Sequence, residues 1–120
     1  MHITHVIYGV PITKKLCENM PVLYDDLEGY GFRLLYSENS DHQVGFLGVY
    51  LGCFDETLET IAVGKSVMVL NEDGTKMEIC PTTENKAEMK KLMKELPDNL
   101  REAVKIYSEP VGVYILWSTN

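Results

Sequence analysis

Residues 44–54 read VGFLGVYLGCF, a stretch with no charged side chain. Taken as a strand, it points Phe46, Gly48, Tyr50, Gly52 and Phe54 to one side. Leu47, Val49, Leu51 and Cys53 go to the other, because successive side chains alternate across a pleated strand. Both sides are then apolar, the pattern of a strand covered on both faces. Glycine weakens a strand, so two glycines between three aromatics need a reason. Either a backbone, a helix or a ligand comes close there, or the aromatic rings lie across the gaps. Leu47, Val49 and Leu51 are expected to be nearly fully buried.

The elements on either side follow from periodicity. Residues 2–8 are rich in β-formers and read as a first strand, ended by Gly9, Val10 and Pro11. Thr13 suits a helix N-cap, and Leu16, Met20, Leu23 and Leu27 recur at helical spacing through residue 28. Pro21 interrupts that stripe and predicts a kink or two short helices. Gly29 is the expected left-handed residue past the helix end. Residues 30–36 predict a second strand, 37–42 a polar turn, and 43–54 the third strand, antiparallel to the second. Residues 55–65 fit a helical turn through Leu58, Ile61 and Ala62 as well as a strand over 60–63. Two short runs, 66–70 and 76–80, flank Asp73-Gly74, a strong hairpin signal.

The last third reads as helical. Thr82 or Thr83 caps a stripe of Met89, Leu92, Met93 and Leu96, continued by Leu100, Ala103, Val104 and Tyr107. Pro97 divides it, and Pro97-Asp98 opens a second helix with an acid at its positive end. Residues 111–117 (VGVYILW) predict a final strand inside the sheet, beside the first or third strand. The fold class that follows is α+β: one domain over residues 1–120, with a mostly antiparallel sheet of about five to six strands and helices packed on it.

Composition narrows the function classes. The chain has 120 residues, 45% hydrophobic and 24% charged, which is ordinary for a globular domain. No apolar run approaches the roughly 20 residues that span a bilayer. The start, MHITHVIYGV, lacks a basic region and reads as a strand, not a signal peptide. Cys17, Cys53 and Cys80 are odd in number and scattered, which predicts reduced thiols and a cytoplasmic location. The formal charge is −7; residues 1–80 hold five Lys or Arg against twelve Asp or Glu, and residues 81–120 hold six of each. An acidic surface repels nucleic-acid backbones and anionic lipids, so neither nucleic acid nor membrane is expected as a partner.

Motifs for chemistry are sparse. Gly64-Lys65-Ser66 resembles the end of a P-loop, but position 59 is Glu59 where the motif needs glycine, and a strand, not a helix, is predicted after the lysine. Residues 71–74 suggest calcium only superficially, since an EF-hand loop would require acids where Val69 and Cys80 stand. His2, His5 and His42 form no metal signature with the cysteines, and histidines near strand ends are expected to be partly exposed. Neither a metal nor a cofactor is predicted. No GxSxG occurs, and no cysteine stands in a recognisable reactive setting. Phe46, Tyr50 and Phe54 would stack RNA bases only with basic neighbours, which this half of the chain lacks.

Three functions remain. The leading one is a non-enzymatic interaction module, an accessory or inhibitory protein of a kind that phages also encode. It would bind a protein with a basic surface through Asp25, Asp26, Glu28, Asp55, Glu56 and Glu59; a homodimer is a further possibility. The second is a small-ligand binder whose pocket is lined by Phe46, Gly48, Tyr50, Gly52 and Phe54. The third is a small hydrolase or transferase pairing Asp55 or Glu56 with His5 or His42.

Overall fold

The computed structural model describes residues 2–35, 44–55, 59–63, 66–70 and 73–119. Four strands form one antiparallel sheet: β1 (His2–Pro11), β2 (Phe32–Leu35), β3 (Val44–Asp55) and β7 (Gly112–Thr119), in the order β2-β3-β1-β7. A second antiparallel sheet holds β4 (Glu59–Val63), β5 (Ser66–Leu70) and β6 (Lys76–Ile79), in chain order. Helices α1 (Lys14–Glu18), α2 (Thr83–Glu95) and α3 (Asp98–Tyr107) complete the α+β architecture, with a 3₁₀ segment over Tyr24–Tyr30. No helix among the described residues is long and apolar enough to cross a membrane.

Local chemistry sets these boundaries. The Thr13 hydroxyl accepts from the Leu16 N–H and starts α1. Thr82 does the same for Asn85, whose side chain answers the Thr82 N–H, closing a capping box on α2. Pro97 separates α2 from α3, and Arg101 bridges the break. Its guanidinium donates to the carbonyls of Met93, Lys94 and Leu96, and pairs with Asp98 at 3.0 Å. Beyond Pro21 the helical stripe continues only as the 3₁₀ segment, which buries Leu27. Its end is Gly31, at φ 97°, not the expected Gly29.

The long strand departs from simple alternation. Along the β1–β3 ladder Ile7 pairs with Tyr50, but Val6 pairs with Gly52, so Leu51 is an extra residue in a β-bulge. Before the bulge Phe46 and Tyr50 share the side of Pro11 and Ile7; after it Cys53 takes that side, opposite His5. Phe54 turns to the side of Thr4 and packs against the cluster of Val6, Val67, Val69 and Ile79. The predicted single face of Phe46, Gly48, Tyr50, Gly52 and Phe54 is therefore split. Leu47 is fully buried as expected, whereas Val49 and Leu51 are only half-buried.

One face of the four-stranded sheet carries two separate cores. Val10 and Val6 lie four apart on β1 and so point the same way. Val10 packs with Leu47, Phe32, Leu16, Met89 and Leu100 beneath the helices. Val6 instead packs against β5 and β6. Strand β7 pairs with β1, as expected, but forms the sheet's border instead of its interior, and Trp117 is 54% exposed.

Candidate functional site

On the opposite face the bulge gathers polar and aromatic groups. His5 and Cys53 are direct partners on β1 and β3, and Ser118 comes from β7. The His5 Nε2 lies 2.6 Å from Ser118 Oγ, and its Nδ1 lies 3.8 Å from Cys53 Sγ. His5 is 6% exposed, against the expectation of a partly exposed residue, because neighbouring strands enclose it on both sides. Burial pulls its pKa below the usual 6.5, so the ring is neutral at neutral pH.

Tyr50 links this cluster to the rest of the face. Its ring sits 5.7 Å from the His5 ring and meets Phe46 edge-on at 5.0 Å. The Arg33 guanidinium lies 5.0 Å above the same ring, a cation–π contact. Tyr50 and Arg33 border a shallow groove of 410 Å³ together with Glu28, Phe32 and Leu34.

Each expected ligand residue now has a place. Phe46 is fully buried, and Tyr50 is exposed. At Gly48 the β1 backbone closes in, leaving 2.2 Å between an added Cβ and the Tyr8 carbonyl oxygen. At Gly52 the Phe54 ring lies across the gap, at 2.6 Å from such a Cβ. Both sequence explanations for the glycines therefore apply, one to each. A different groove, of 830 Å³, opens beside Tyr8, Cys80, Pro81, Lys86, Val113 and Tyr114; it contains none of the five.

The acidic candidates divide in the same way. Asp25, Asp26 and Glu28 are exposed on the 3₁₀ segment, with Leu23 at its start 74% exposed. Among the described residues none of the three forms an ion pair. Asp55 ends β3 and Glu59 opens β4, but their side chains, like the whole of Glu56 and His42, lie outside the described residues. The pairing of Asp55 or Glu56 with a histidine thus lies outside them as well. Gly64, Lys65, Asn71 and Glu72 are likewise outside; Ser66 opens a strand, and Asp73-Gly74 turns with Gly74 at φ 86°. No group of His, Cys, Asp and Glu among the described residues is arranged to hold a metal.

No family model, curated protein or solved structure matches this chain.

Sequence reasoning missed the His5–Cys53–Ser118 cluster. The residues are 48 and 113 positions apart in their two contacts, and the bulge that turns Cys53 toward His5 has no compositional signature. None of the three cysteines is in a disulfide; Cys53 and Cys80 are exposed and Cys17 is half-buried.

Proposed function

We propose that this chain is a protein-interaction module that docks a partner of basic and apolar surface through residues 21–30. The observation that carries this reading is Leu23, 74% exposed beside three exposed carboxylates, on a segment anchored by fully buried Leu27. Isolated exposed leucines are common, but one held on a short structured segment beside acids that form no ion pair among the described residues offers an apolar contact with a charged rim. Charge favours a basic partner over a second copy, since two copies would oppose like surfaces. The odd, scattered cysteines support a cytoplasmic setting.

Photo-crosslinking from position 23 in cells, followed by purification of the captured protein, tests this. Its association rate should fall with added salt and with Asp25→Asn, Asp26→Asn and Glu28→Gln combined, at an unchanged melting temperature. Salt-independent rates that survive the triple substitution would overturn it.

The small-ligand reading has one observation in its favour, the Arg33–Tyr50 groove, whose Glu28 wall it shares with the acidic segment. Of the five expected ligand residues it keeps Tyr50 as the exposed aromatic. A ligand there would be lost with Arg33→Gln, a change that leaves Leu23 untouched.

A further inference from the structure

Cys53, His5 and Ser118 stand side by side on three adjacent strands, β3, β1 and β7, and project from one face of the sheet. Cys53 is exposed, whereas His5 and Ser118 are each only 6% exposed. We propose that Cys53 is a covalent modification site whose thiol, with His5 as its base, exchanges with low-molecular-weight disulfides. The proposal is independent of the docking surface at residues 21–30.

The geometry is that of an accessible nucleophile, a base within reach and a third group holding the base. Nδ1 lies 3.8 Å from Cys53 Sγ, and Nε2 lies 2.6 Å from Ser118 Oγ. With its hydrogen on Nε2, the neutral ring donates to the serine oxygen and leaves the Nδ1 lone pair facing the thiol. The groups facing His5 are the Cys53 thiol and the Tyr50 ring from β3 and the Ser118 hydroxyl from β7, with Arg33 beyond Tyr50. No carboxylate among the described residues hydrogen-bonds the ring. Burial disfavours a standing imidazolium, so His5 is a neutral base able to accept a proton during attack.

The step balances without a further oxidant. The thiol proton passes to Nδ1 as Sγ attacks one sulfur of the disulfide. A new S–S bond to Cys53 forms while the old one breaks. The departing thiolate takes the proton from Nδ1 and leaves as a thiol. Cys80 is an internal control: it too is exposed, and no histidine bonds it among the described residues.

The test incubates the full, reduced chain with oxidised glutathione and follows each cysteine by mass spectrometry of quenched digests. Cys53 should form its mixed disulfide at least about tenfold faster than Cys80 at pH 7, a modest share of what a positioned base contributes. His5→Gln should bring Cys53 down to the Cys80 rate and leave Cys80 unchanged. Ser118→Ala, a smaller change that keeps the base, should slow Cys53 and alter the pH dependence of its rate, while Cys80 keeps its own. Equal rates at Cys53 and Cys80 in the unaltered protein would overturn the proposal, and that comparison needs no variant to fold. A folded His5→Gln protein with an undiminished Cys53 rate would also overturn it.

Discussion

Gly9 and Gly48 face each other across the β1–β3 ladder with no room for a side chain on either. A Cβ on Gly48 would lie 2.2 Å from the Tyr8 carbonyl oxygen, and one on Gly9 would lie 2.1 Å from that of Leu47. The two strands approach so closely here because both residues lack a Cβ. The obstacle is backbone, which cannot swing aside as a flexible side chain would.

Gly48→Val should therefore destabilise the fold by at least about 1–3 kcal/mol despite the better strand propensity of valine. Gly29 is the contrast, with nothing within 4 Å of an added Cβ and no positive φ. Gly29→Ala should be neutral or stabilising by up to about 1 kcal/mol. Urea unfolding of both variants checks the pair, and a tolerated Gly48→Val would refute the close approach.

Leu47 and Val49 point to the same side of β3, yet only Leu47 is fully buried. Leu47→Ala should cost about 2–5 kcal/mol and Val49→Ala no more than about 1 kcal/mol. The reverse ranking in denaturant unfolding would mean that the helical layer sits over the wrong end of the strand.

Arg101 caps the C-terminal carbonyls of α2 from the first turn of α3. Its planar fork reaches several acceptors at once, which a lysine ammonium cannot reproduce. Arg101→Lys and Arg101→Met should each lower stability by about 1–3 kcal/mol, since hydrogen bonds to charged groups are of that size. A lysine variant with unchanged unfolding would reduce the contact to a surface ornament.

Tyr24 has a buried hydroxyl with no hydrogen-bond partner among the described residues. Burial, reinforced by Cys17, Glu28 and Asp25, pushes its pKa up from 10.0 to about 12. The folded state thus holds this proton more tightly than the unfolded chain. Its contribution is complete below pH 10 and is lost as pH rises toward about 12. Tyr24→Phe should flatten part of that alkaline decline; Tyr50 and Tyr114, also raised by burial, retain the rest. At pH 7 the same substitution should be neutral or stabilising, because it removes an unpaired buried polar group. A clear loss of stability at pH 7 would show that the hydroxyl is bonded after all.

Local signals carried much of the fold. Strand β5 begins and ends as the residues around Asp73-Gly74 suggest, and Thr13, Thr82 and Pro97 mark helix ends that the structure keeps. Non-local choices were not legible. The bulge at Leu51 depends on how β1 pairs with β3, and alternation counted along one strand cannot register an inserted residue. Strand β7 has the apolar sides of an interior strand, but its neighbours decide whether it becomes a border. Gly31 replaces Gly29 because the segment after Pro21 winds as a 3₁₀ helix, which shifts where the chain must turn left-handed. The candidate site suffered most. Alternation along β3 groups Tyr50 with Phe54, which faces away from it, while His5, Cys53 and Ser118 come together only through pairing of distant strands.

The central strand β1 pairs on one side with β3 and on the other with β7, joining His2 to Thr119. During synthesis that second flank stays open until residues 112–119 emerge, long after the rest of the sheet's strands have been made. The closing of the sheet therefore waits on a contact spanning more than a hundred residues, the kind of loop that slows folding. Ser118 belongs to that late-arriving strand, so His5 acquires its hydrogen-bond partner last. A nascent chain paused before residue 112 would carry Cys53 and His5 without the hydroxyl that fixes the ring, so the ordered cluster would distinguish chains with a closed sheet from those still open.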